Sequence, residues 1–484
     1  MHTYKNHLKN FIKTWASCFL LFNTWVFADL YKNPKGYEIT TIPTPNGKPF
    51  HVSGLDQDKH GNIFVVTRMG EVWKWNGNMW QQFAEGMQEP CGLLCDDDGS
   101  ILITQKPEFT RLRDLDKDGW ADRYEVVCDE FTFFDSYHEF HYGPVKDSKG
   151  NYYCSLNLNT ISAGGHLQSG TSSLGGYRGW IYKVDPQGEF TPFASGVRSP
   201  AGLAMGPKDR LFYTDNQGDW VETSKLDYVR EGGFYGHPAS IFQKEGYDLK
   251  KMLSIKPEEL SEIRHLPTVW LPHAEVSNSP GNPEFDLSEG KFGPFKGQMF
   301  IGDHTNASIM RVMLQEVNGE LQGAVVKFMQ GFQSGVLRIK LDQQGRMWVG
   351  QTSRGWPTKG EKIFGVQRVD WNGQMPFEIL KIEHVEGGFK VELTESYNKE
   401  SITVDNLGIK SWWYPYRPNY GSPKIREKNI KATNLQHSDD GKSFIVKLPI
   451  EELNVYHLDL SEIKNKNGQS MANSEIYYTL KKKL

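Results

Sequence analysis

Acidic residues at regular spacing in the segment 114–125 could hold a metal ion. Carboxylates stand at positions 1, 3, 5, 9 and 12 of this segment and a glycine at position 6, which is the pattern of a twelve-residue calcium loop. Without a cation, so many carboxylates in so short a segment would repel one another. A solvated acidic turn is the alternative. The predicted ligands are the side chains of Asp114, Asp116, Asp118, Asp122 and Glu125 and the carbonyl oxygen of Trp120.

A recurring hairpin pattern indicates the elements that would position such a site. In each copy a glycine and an apolar residue open a strand, an Asp-containing turn follows, and an apolar or aromatic strand closes the unit. The copies start at Gly54, Gly92, Gly143, Gly202 and Gly335. A divergent copy at 297–302 makes six. Nearly all-β repeats of this length are typical of propeller blades, so the sequence predicts a six-bladed β-propeller with a small-molecule site at its central tunnel.

The first 28 residues have the features of a secretory signal peptide rather than of a folded element. Lysines precede a mostly apolar run over 11–27, and Val26-Phe27-Ala28 suits cleavage after Ala28. An uncleaved anchor is the alternative, although the apolar run is shorter than the roughly 20 residues of a spanning helix. No other apolar stretch could span a membrane. The protein is therefore predicted to be secreted or periplasmic.

The remaining chain is predicted to form two all-β domains. Residues 29–373 are assigned to the propeller, with a short inserted helix over 243–264 and a Gly/Ser-rich loop over 161–177. Residues 374–484 contain short strands separated by turns and resemble the closing strands of bacterial immunoglobulin-like domains, which predicts a C-terminal β-sandwich. The aromatic run 412–416 within it and the segment 420–423 that follows could form a sugar-stacking or docking surface, or could pack against the propeller.

Charge and cysteine content exclude some classes of function. The formal net charge is −4 and there is no basic cluster, which argues against a nucleic-acid partner. There is no Cys-x-x-Cys-His haem motif. An even number of cysteines in an exported chain allows disulfides. The cysteines after the signal segment are Cys91, Cys95, Cys128 and Cys154.

One stretch of the chain is similar to a known family. Arg198-Ser199-Pro200-Ala201-Gly202-Leu203, then 215–219 (Asp-Asn-Gln-Gly-Asp), then Tyr235-Gly236-His237-Pro238 follow one another at characteristic spacing. They resemble the soluble quinoprotein glucose/sorbosone dehydrogenase family, and the resemblance extends from about Val52 to Trp371. The most similar members are secreted dehydrogenases that are often fused to cytochrome domains.

The resemblance implies a secreted oxidoreductase that oxidises a sugar or related alcohol with pyrroloquinoline quinone. His141 would be the general base, with His138 and Glu139 as competitors, and Arg198 would face the quinone oxygens. Gly218 and Asp219, in the turn with Gln217, would hold an active-site calcium through their carbonyl groups. A separate cytochrome would accept the electrons. The chain departs from the family where an Arg-x-Arg clamp is expected, since Gln333-Ser334 stands there. The arginines that could compensate are Arg178, Arg338 and Arg354.

His273 and His304 each end or follow a predicted strand, where loops form a propeller's binding face. They could line the site or be structural. Together with His141 they could instead bind a metal, as in propeller lactonases and lyases. The alternatives to a dehydrogenase are therefore a metal-dependent hydrolase or lyase acting on a carbohydrate or lactone, and a non-catalytic propeller that binds glycans or proteins.

Overall fold

The computed structural model describes residues 33–133, 137–158, 175–244, 246 and 248–484. The predicted signal peptide and most of the predicted loop 161–177 lie outside these residues. Within them the chain is all-β, as the sequence predicted, with only two short α-helices at Leu249–Ser254 and Pro257–Ile263. Neither of these described helices has the length or apolar character needed to cross a membrane.

Twenty-four strands form the first part of the chain, and they are numbered here in chain order. They are β1 (Tyr37–Ile42), β2 (Val52–Gln57), β3 (Ile63–Thr67), β4 (Val72–Trp75), β5 (Trp80–Ala84), β6 (Gly92–Cys95), β7 (Ile101–Thr104), β8 (Phe109–Arg113), β9 (Arg123–Cys128), β10 (His141–Lys146), β11 (Tyr152–Leu156), β12 (Trp180–Val184), β13 (Phe190–Ser195), β14 (Pro200–Gly206), β15 (Arg210–Asp215), β16 (Lys225–Val229), β17 (Val269–Trp270), β18 (Pro280–Phe285), β19 (Met299–Asp303), β20 (Ser308–Val317), β21 (Glu320–Gln330), β22 (Val336–Leu341), β23 (Met347–Thr352) and β24 (Phe364–Trp371).

These strands form six blades arranged in a ring. Blades 1 to 5 are the successive groups β2–β5, β6–β9, β10–β13, β14–β17 and β18–β21, and blade 6 contains β22, β23, β24 and β1. The first strand of each blade contacts the first strand of the next, and β22 contacts β2. Blade 6 closes the ring because the N-terminal strand pairs with β24, from Tyr37 opposite Trp371 to Ile42 opposite Val366. This arrangement is that of a six-bladed β-propeller.

Close packing of the first strands explains the glycines of the repeat. A Cβ atom on Gly92 would lie 1.4 Å from the carbonyl oxygen of Gly143 in the next blade. A Cβ on Gly202 would lie 2.4 Å from the Cβ of Asn282. Glycine is therefore required where the inner strands converge on the axis. The divergent copy at 297–302 coincides with β19, the second strand of blade 5, and not with the first strand, because a long turn separates β18 from β19.

The C-terminal segment adds eight strands in two facing sheets. They are β25 (Ile379–Val385), β26 (Gly388–Leu393), β27 (Gly408–Trp413), β28 (Ile425–Asn429), β29 (Asn434–His437), β30 (Ser443–Lys447), β31 (Asn454–Asp459) and β32 (Glu475–Leu480). One sheet has the order β25-β26-β30-β29. The other continues blade 5, because β32 pairs with β21 and the order runs β18-β19-β20-β21-β32-β31-β27-β28. Both sheets contribute to one apolar core.

This topology refines two predictions and corrects a third. The C-terminal segment is hydrogen-bonded into the propeller rather than separate from it, and its predicted immunoglobulin-like class is not confirmed. The predicted helical insertion consists of the two short helices, which lie inside blade 4 between β16 and β17. The possible disulfides do not form, since all the cysteines of the described residues are free thiols. They are Cys91, Cys95, Cys128 and Cys154.

Candidate functional site

A cavity of about 390 Å³ opens at one end of the ring. First strands begin and second strands end at this face, because neighbouring strands of a blade are antiparallel. Residues just before β10, β14 and β18 and just after β3, β15, β19 and β23 therefore meet there. The lining residues include Arg68, His138, Tyr142, Arg198, Asn216, Gln217, His273, Asn278, Ser279, His304, Arg354, Trp356 and Tyr420.

Two arginines at the cavity share one carboxylate. Arg68, which follows β3, donates from Nε to the Oε2 atom of Glu89 at 2.9 Å, and Arg354, which follows β23, donates to the Oε1 atom. The Arg68 guanidinium also lies 4.7 Å from the Phe140 ring centroid. Burial favours the protonated carboxyl, but the charges of Arg68 and Arg354 outweigh it and lower the pKa of Glu89. Two guanidinium groups and one carboxylate therefore leave this wall of the cavity with one net positive charge.

Arg198 is held by a buried network at the same cavity. Its Nε donates to Asp219 Oδ1 at 2.6 Å, and His237 Nε2 lies 3.0 Å from Asp219 Oδ2. Because His237 Nδ1 accepts a hydrogen bond from the Ala239 N–H, its Nε2 carries the proton that Asp219 accepts. Burial opposes ionisation, but the hydrogen bonds and charges of His237 and Arg198 hold the pKa of Asp219 well below its usual range. Asp219 thus fixes the Arg198 side chain.

His138 lies at the cavity, in the segment before β10. Its ring packs against Tyr137 and Trp356, with centroids 5.5 and 5.1 Å away. Among the described residues no hydrogen bond engages its ring nitrogens. Burial lowers the pKa of His138, and the charges of Arg198 and Lys106 lower it further. Its imidazole is therefore neutral at pH 7 and can accept a proton.

His141, predicted as the general base, does not line this cavity. Its Nδ1 lies 2.8 Å from the Gln105 carbonyl oxygen and its Nε2 2.7 Å from the Tyr182 hydroxyl, so both ring nitrogens are engaged. Burial lowers its pKa to about 3. Successive residues of a strand point to opposite faces, and Tyr142 is the one that reaches the cavity. The structure places His141 between blades, as a packing residue.

His273 and His304 both line the cavity, as predicted. Burial lowers the pKa of each, so both are neutral near pH 7. The strand end beside His304 is fixed by Asp303, whose carboxylate accepts from the Ser277 hydroxyl at 2.6 Å and the Asn278 N–H at 2.7 Å. Some buried polar atoms at the cavity have no partner among the described residues. They are Asn216 Oδ1, His273 Nδ1 and Arg354 Nε.

Four other predicted residues have different positions. Gln217 lines the cavity, but the Gly218 carbonyl accepts N–H groups from Val221 at 3.2 Å and from the C-terminal segment at 2.8 Å. Arg178 is buried behind the cavity, where its Nε donates to the Thr132 carbonyl at 3.0 Å. Gln333 does not line the cavity, and its N–H donates to Gln367 at 3.0 Å. Arg178 and Gln333 therefore support neighbouring segments rather than contact a ligand.

A buried guanidinium lies on the axis of the ring, below the cavity. Arg338, on β22, donates to the carbonyl groups of Ser53 at 2.7 Å, Cys91 at 2.7 Å and Ala201 at 2.5 Å. These acceptors belong to blades 1, 2 and 4. The guanidinium carbon also lies 4.8 Å from the Tyr142 ring centroid. Arg338 therefore joins four blades across the axis.

The calcium loop lies far out on blade 2, between β8 and β9. Asp114, Asp116 and Asp122 offer oxygen atoms within 4.8 Å of one another, the spacing that a shared cation requires. Asp118 is not in this cluster, and its Oδ1 accepts from the Trp120 N–H at 2.8 Å. Glu125 lies on β9 and pairs with Arg113 at 3.1 Å. The structure thus brings together three of the predicted ligands.

We expect chelation to destabilise the protein through this loop. A cation present at a hundred times its Kd stabilises the folded state by about 2.7 kcal/mol, so excess EDTA should lower Tm by about 3 °C. Asp116→Ala should abolish that sensitivity, whereas Asp439→Ala, at an exposed aspartate elsewhere, should retain it. Calorimetric melting with and without EDTA measures the effect, and identical curves for the wild type would contradict it.

Sequence reasoning missed Arg68, Asn216 and Trp356 as lining residues. Arg68, Asn216 and His304 each stand directly after the second strand of a blade. That position recurs in every hairpin of the repeat and therefore could have indicated Arg68 and Asn216 as well as His304. Tyr420, which reaches the cavity from the C-terminal segment, lies in the segment 420–423, for which the sequence left a sugar-stacking or docking surface open.

The ring and its cavity define the class of protein: a six-bladed propeller with a polar, arginine-lined cavity at one end of its axis. Neither a family model nor a curated protein matches the sequence. Among solved structures, an oxidoreductase (glucose dehydrogenase) from Thermus thermophilus is 18% identical with a TM-score of 0.51, and covers 69% of this chain and 100% of its own. A Trichoderma reesei carbohydrate-active enzyme of family AA12 is 13% identical with a TM-score of 0.50, and covers 71% and 98%. The chain therefore has a glucose dehydrogenase-like fold, as the sequence motifs predicted.

Proposed function

We propose that the protein is an oxidoreductase of the quinoprotein sugar dehydrogenase type. It binds pyrroloquinoline quinone in the cavity and oxidises a sugar or a related alcohol at the cavity mouth. The observation that carries this proposal is the charge of the cavity: three arginines line it, and only two carboxylates neutralise them. An anionic ligand complements this excess.

The lining residues fit a tricarboxylate quinone in a second way. Arg354 Nε, a donor, and His273 Nδ1, which donates when it carries the ring proton, are buried without partners among the described residues, which is costly unless a carboxylate or water satisfies them. Arg68 and Arg354 would supply the cationic contacts that Gln333-Ser334 cannot. When bound, the quinone would accept a hydride from the substrate carbon.

The chain's own residues then have distinct roles. His138, neutral at pH 7, takes the proton of the substrate hydroxyl. Arg198 presents a fixed cation toward the cavity and Asp219 keeps it in place. The predicted signal peptide supports a secreted or periplasmic location. A separate cytochrome is the proposed electron acceptor.

Titration with the quinone in the presence of calcium tests the proposal. Arg354→Gln should weaken quinone binding about tenfold or more, since a charge-assisted contact is lost. Arg346→Gln should leave the affinity unchanged, because Arg346 pairs with Asp342 away from the cavity. Isothermal titration calorimetry measures both variants, and bleaching of the bound quinone by sugar tests turnover. No quinone binding to the wild type would contradict the proposal and favour the binding-module alternative.

The metal-dependent hydrolase or lyase has less support. Among the described residues, Asp114, Asp116 and Asp122 form the one group whose side chains lie close enough to share a cation. Of the predicted set His141, His273 and His304, only the last two line the cavity, and the three do not form such a group. Hydrolysis or elimination that requires an added metal and no electron acceptor would favour this alternative.

A further inference from the structure

A loop of the C-terminal segment reaches the mouth of the cavity. It joins β27 to β28 and covers residues 414–424. Its base is anchored, because Trp412 and Trp413 are buried in a core with Trp270 of blade 4. The aromatic run therefore packs against the propeller, one of the two interpretations that the sequence left open.

The loop docks onto the turn that organises Arg198. Tyr420 pairs with Asp219 in an antiparallel bridge. The next two residues of the loop are also bonded to this region. The Gly421 N–H donates to the Gly218 carbonyl and the Ser422 N–H donates to the Glu222 carbonyl, both at 2.8 Å. The carboxylate that fixes Arg198 thus belongs to a residue whose backbone is paired with the C-terminal segment.

The loop is also rigid in its own right. Gly421 has φ +66°, in the left-handed region that favours glycine, and a Cβ there would lie 2.6 Å from the Gln217 side-chain amide, which would have to move. Arg417 donates from Nε and Nη2 to the Gly421 carbonyl at 3.2 and 3.0 Å. Tyr416 packs under Arg264, whose guanidinium carbon is 4.1 Å from the ring centroid. A loop ordered in this way can present a side chain at little entropic cost.

Tyr420 is the side chain that this loop presents. It is 64% exposed although its neighbours in the loop are held, and its ring centroid lies 5.4 Å from the Arg198 guanidinium carbon. Trp356, from blade 6, is 43% exposed and lines the same cavity. Exposed aromatic faces beside a polar cavity suit a ligand with an apolar face and a polar edge. A pyranose ring has both.

We infer that Tyr420 is a specificity-determining residue that stacks on a pyranose ring at the cavity mouth, so that the C-terminal segment completes the substrate site. The inference rests on the proposed function and deepens it. A cavity of about 390 Å³ is near the lower end of the roughly 300–1,000 Å³ of small-molecule sites, so the quinone fills it and the substrate lies at the mouth. Two separate aromatic side chains there favour an oligosaccharide over a single sugar unit.

Binding of cellotriose and maltotriose tests this inference without requiring turnover. Calorimetry on the calcium-loaded full chain should show that at least one trisaccharide binds more tightly than glucose. Tyr420→Ala should weaken that binding about tenfold, and Tyr420→Phe, which keeps the ring, by less than about threefold. Leu287→Ala removes another exposed apolar side chain, on blade 5, and should change nothing. Quinone affinity should change much less than trisaccharide affinity in Tyr420→Ala.

The outcomes separate the two proposals. Unaltered trisaccharide affinity in Tyr420→Ala, or no trisaccharide binding by the wild type, overturns the role of Tyr420 even if the quinone binds. Trisaccharide binding that depends on Tyr420 in a protein that binds no quinone supports that role and overturns the dehydrogenase.

Discussion

Replacing His138 by alanine should lower kcat about a hundredfold or more while leaving the fold intact. A positioned general base contributes about this much, and His138 is the cavity histidine that packs beside Trp356 with its ring nitrogens free of hydrogen bonds to described residues. Dye-coupled turnover of the calcium- and quinone-loaded protein measures the effect. His60→Ala, at an exposed turn between β2 and β3, is the matched control and should retain full activity.

The acid side of the pH profile gives a second readout. Because burial and the charges of Arg198 and Lys106 lower the pKa of His138, its basic form persists below pH 6.5. The acid limb of kcat/KM should therefore lie below pH 6.5 and disappear in His138→Ala. His141→Ala should show the opposite pattern, with a lower Tm and near-normal turnover per folded molecule. Full loss of turnover in a stable His141→Ala protein would show that His141, and not His138, is the general base.

Arg338→Met should be the most destabilising of these single substitutions. It removes a guanidinium that donates to the carbonyls of Ser53, Cys91 and Ala201 and leaves these buried acceptors without their charged partner. The expected cost is about 3 kcal/mol or more, which corresponds to a fall in Tm of about 3 °C or more for a chain of this length.

Thermal unfolding followed by circular dichroism measures this effect. Arg210→Met is the control, because an ion pair that solvent reaches on both sides, such as that of Arg210 with Glu316, contributes about 0–1 kcal/mol. Equal Tm values for Arg338→Met and the wild type would show that Arg338 does not hold the ring together.

The ring is predictable from the sequence because the constraint that creates it is local. Each blade needs a glycine where its first strand meets the next, as at Gly92 and Gly202, and a turn before its second strand. Blade 5 is the hardest to place because its hairpin turn is long. The pairing of β21 with β32 is not predictable, since it joins residues such as Ala324 and Tyr478 that are distant in sequence and carry no shared motif.

The candidate site is predictable only in part. Arg198, Gln217, His273, His304 and Arg354 all line the cavity, and each stands at a strand end or within a motif. The choice between His138 and His141 depends on which residue of the β10 region turns toward the axis. If the strand begins one residue earlier or later, each of its side chains is assigned to the opposite face. Strand boundaries are the least certain part of a sequence-based assignment.

The eight-stranded sheet joins the propeller and the C-terminal segment into one hydrogen-bonded unit. A shortened protein ending near residue 374 would bare the outer edge of β21, whose N–H and C=O groups now pair with β32, and such an edge invites aggregation. It would also lose Tyr420 from the cavity mouth. Gene shuffling that moved the propeller alone would therefore yield an aggregation-prone protein with an incomplete cavity, so the two parts are expected to be inherited together.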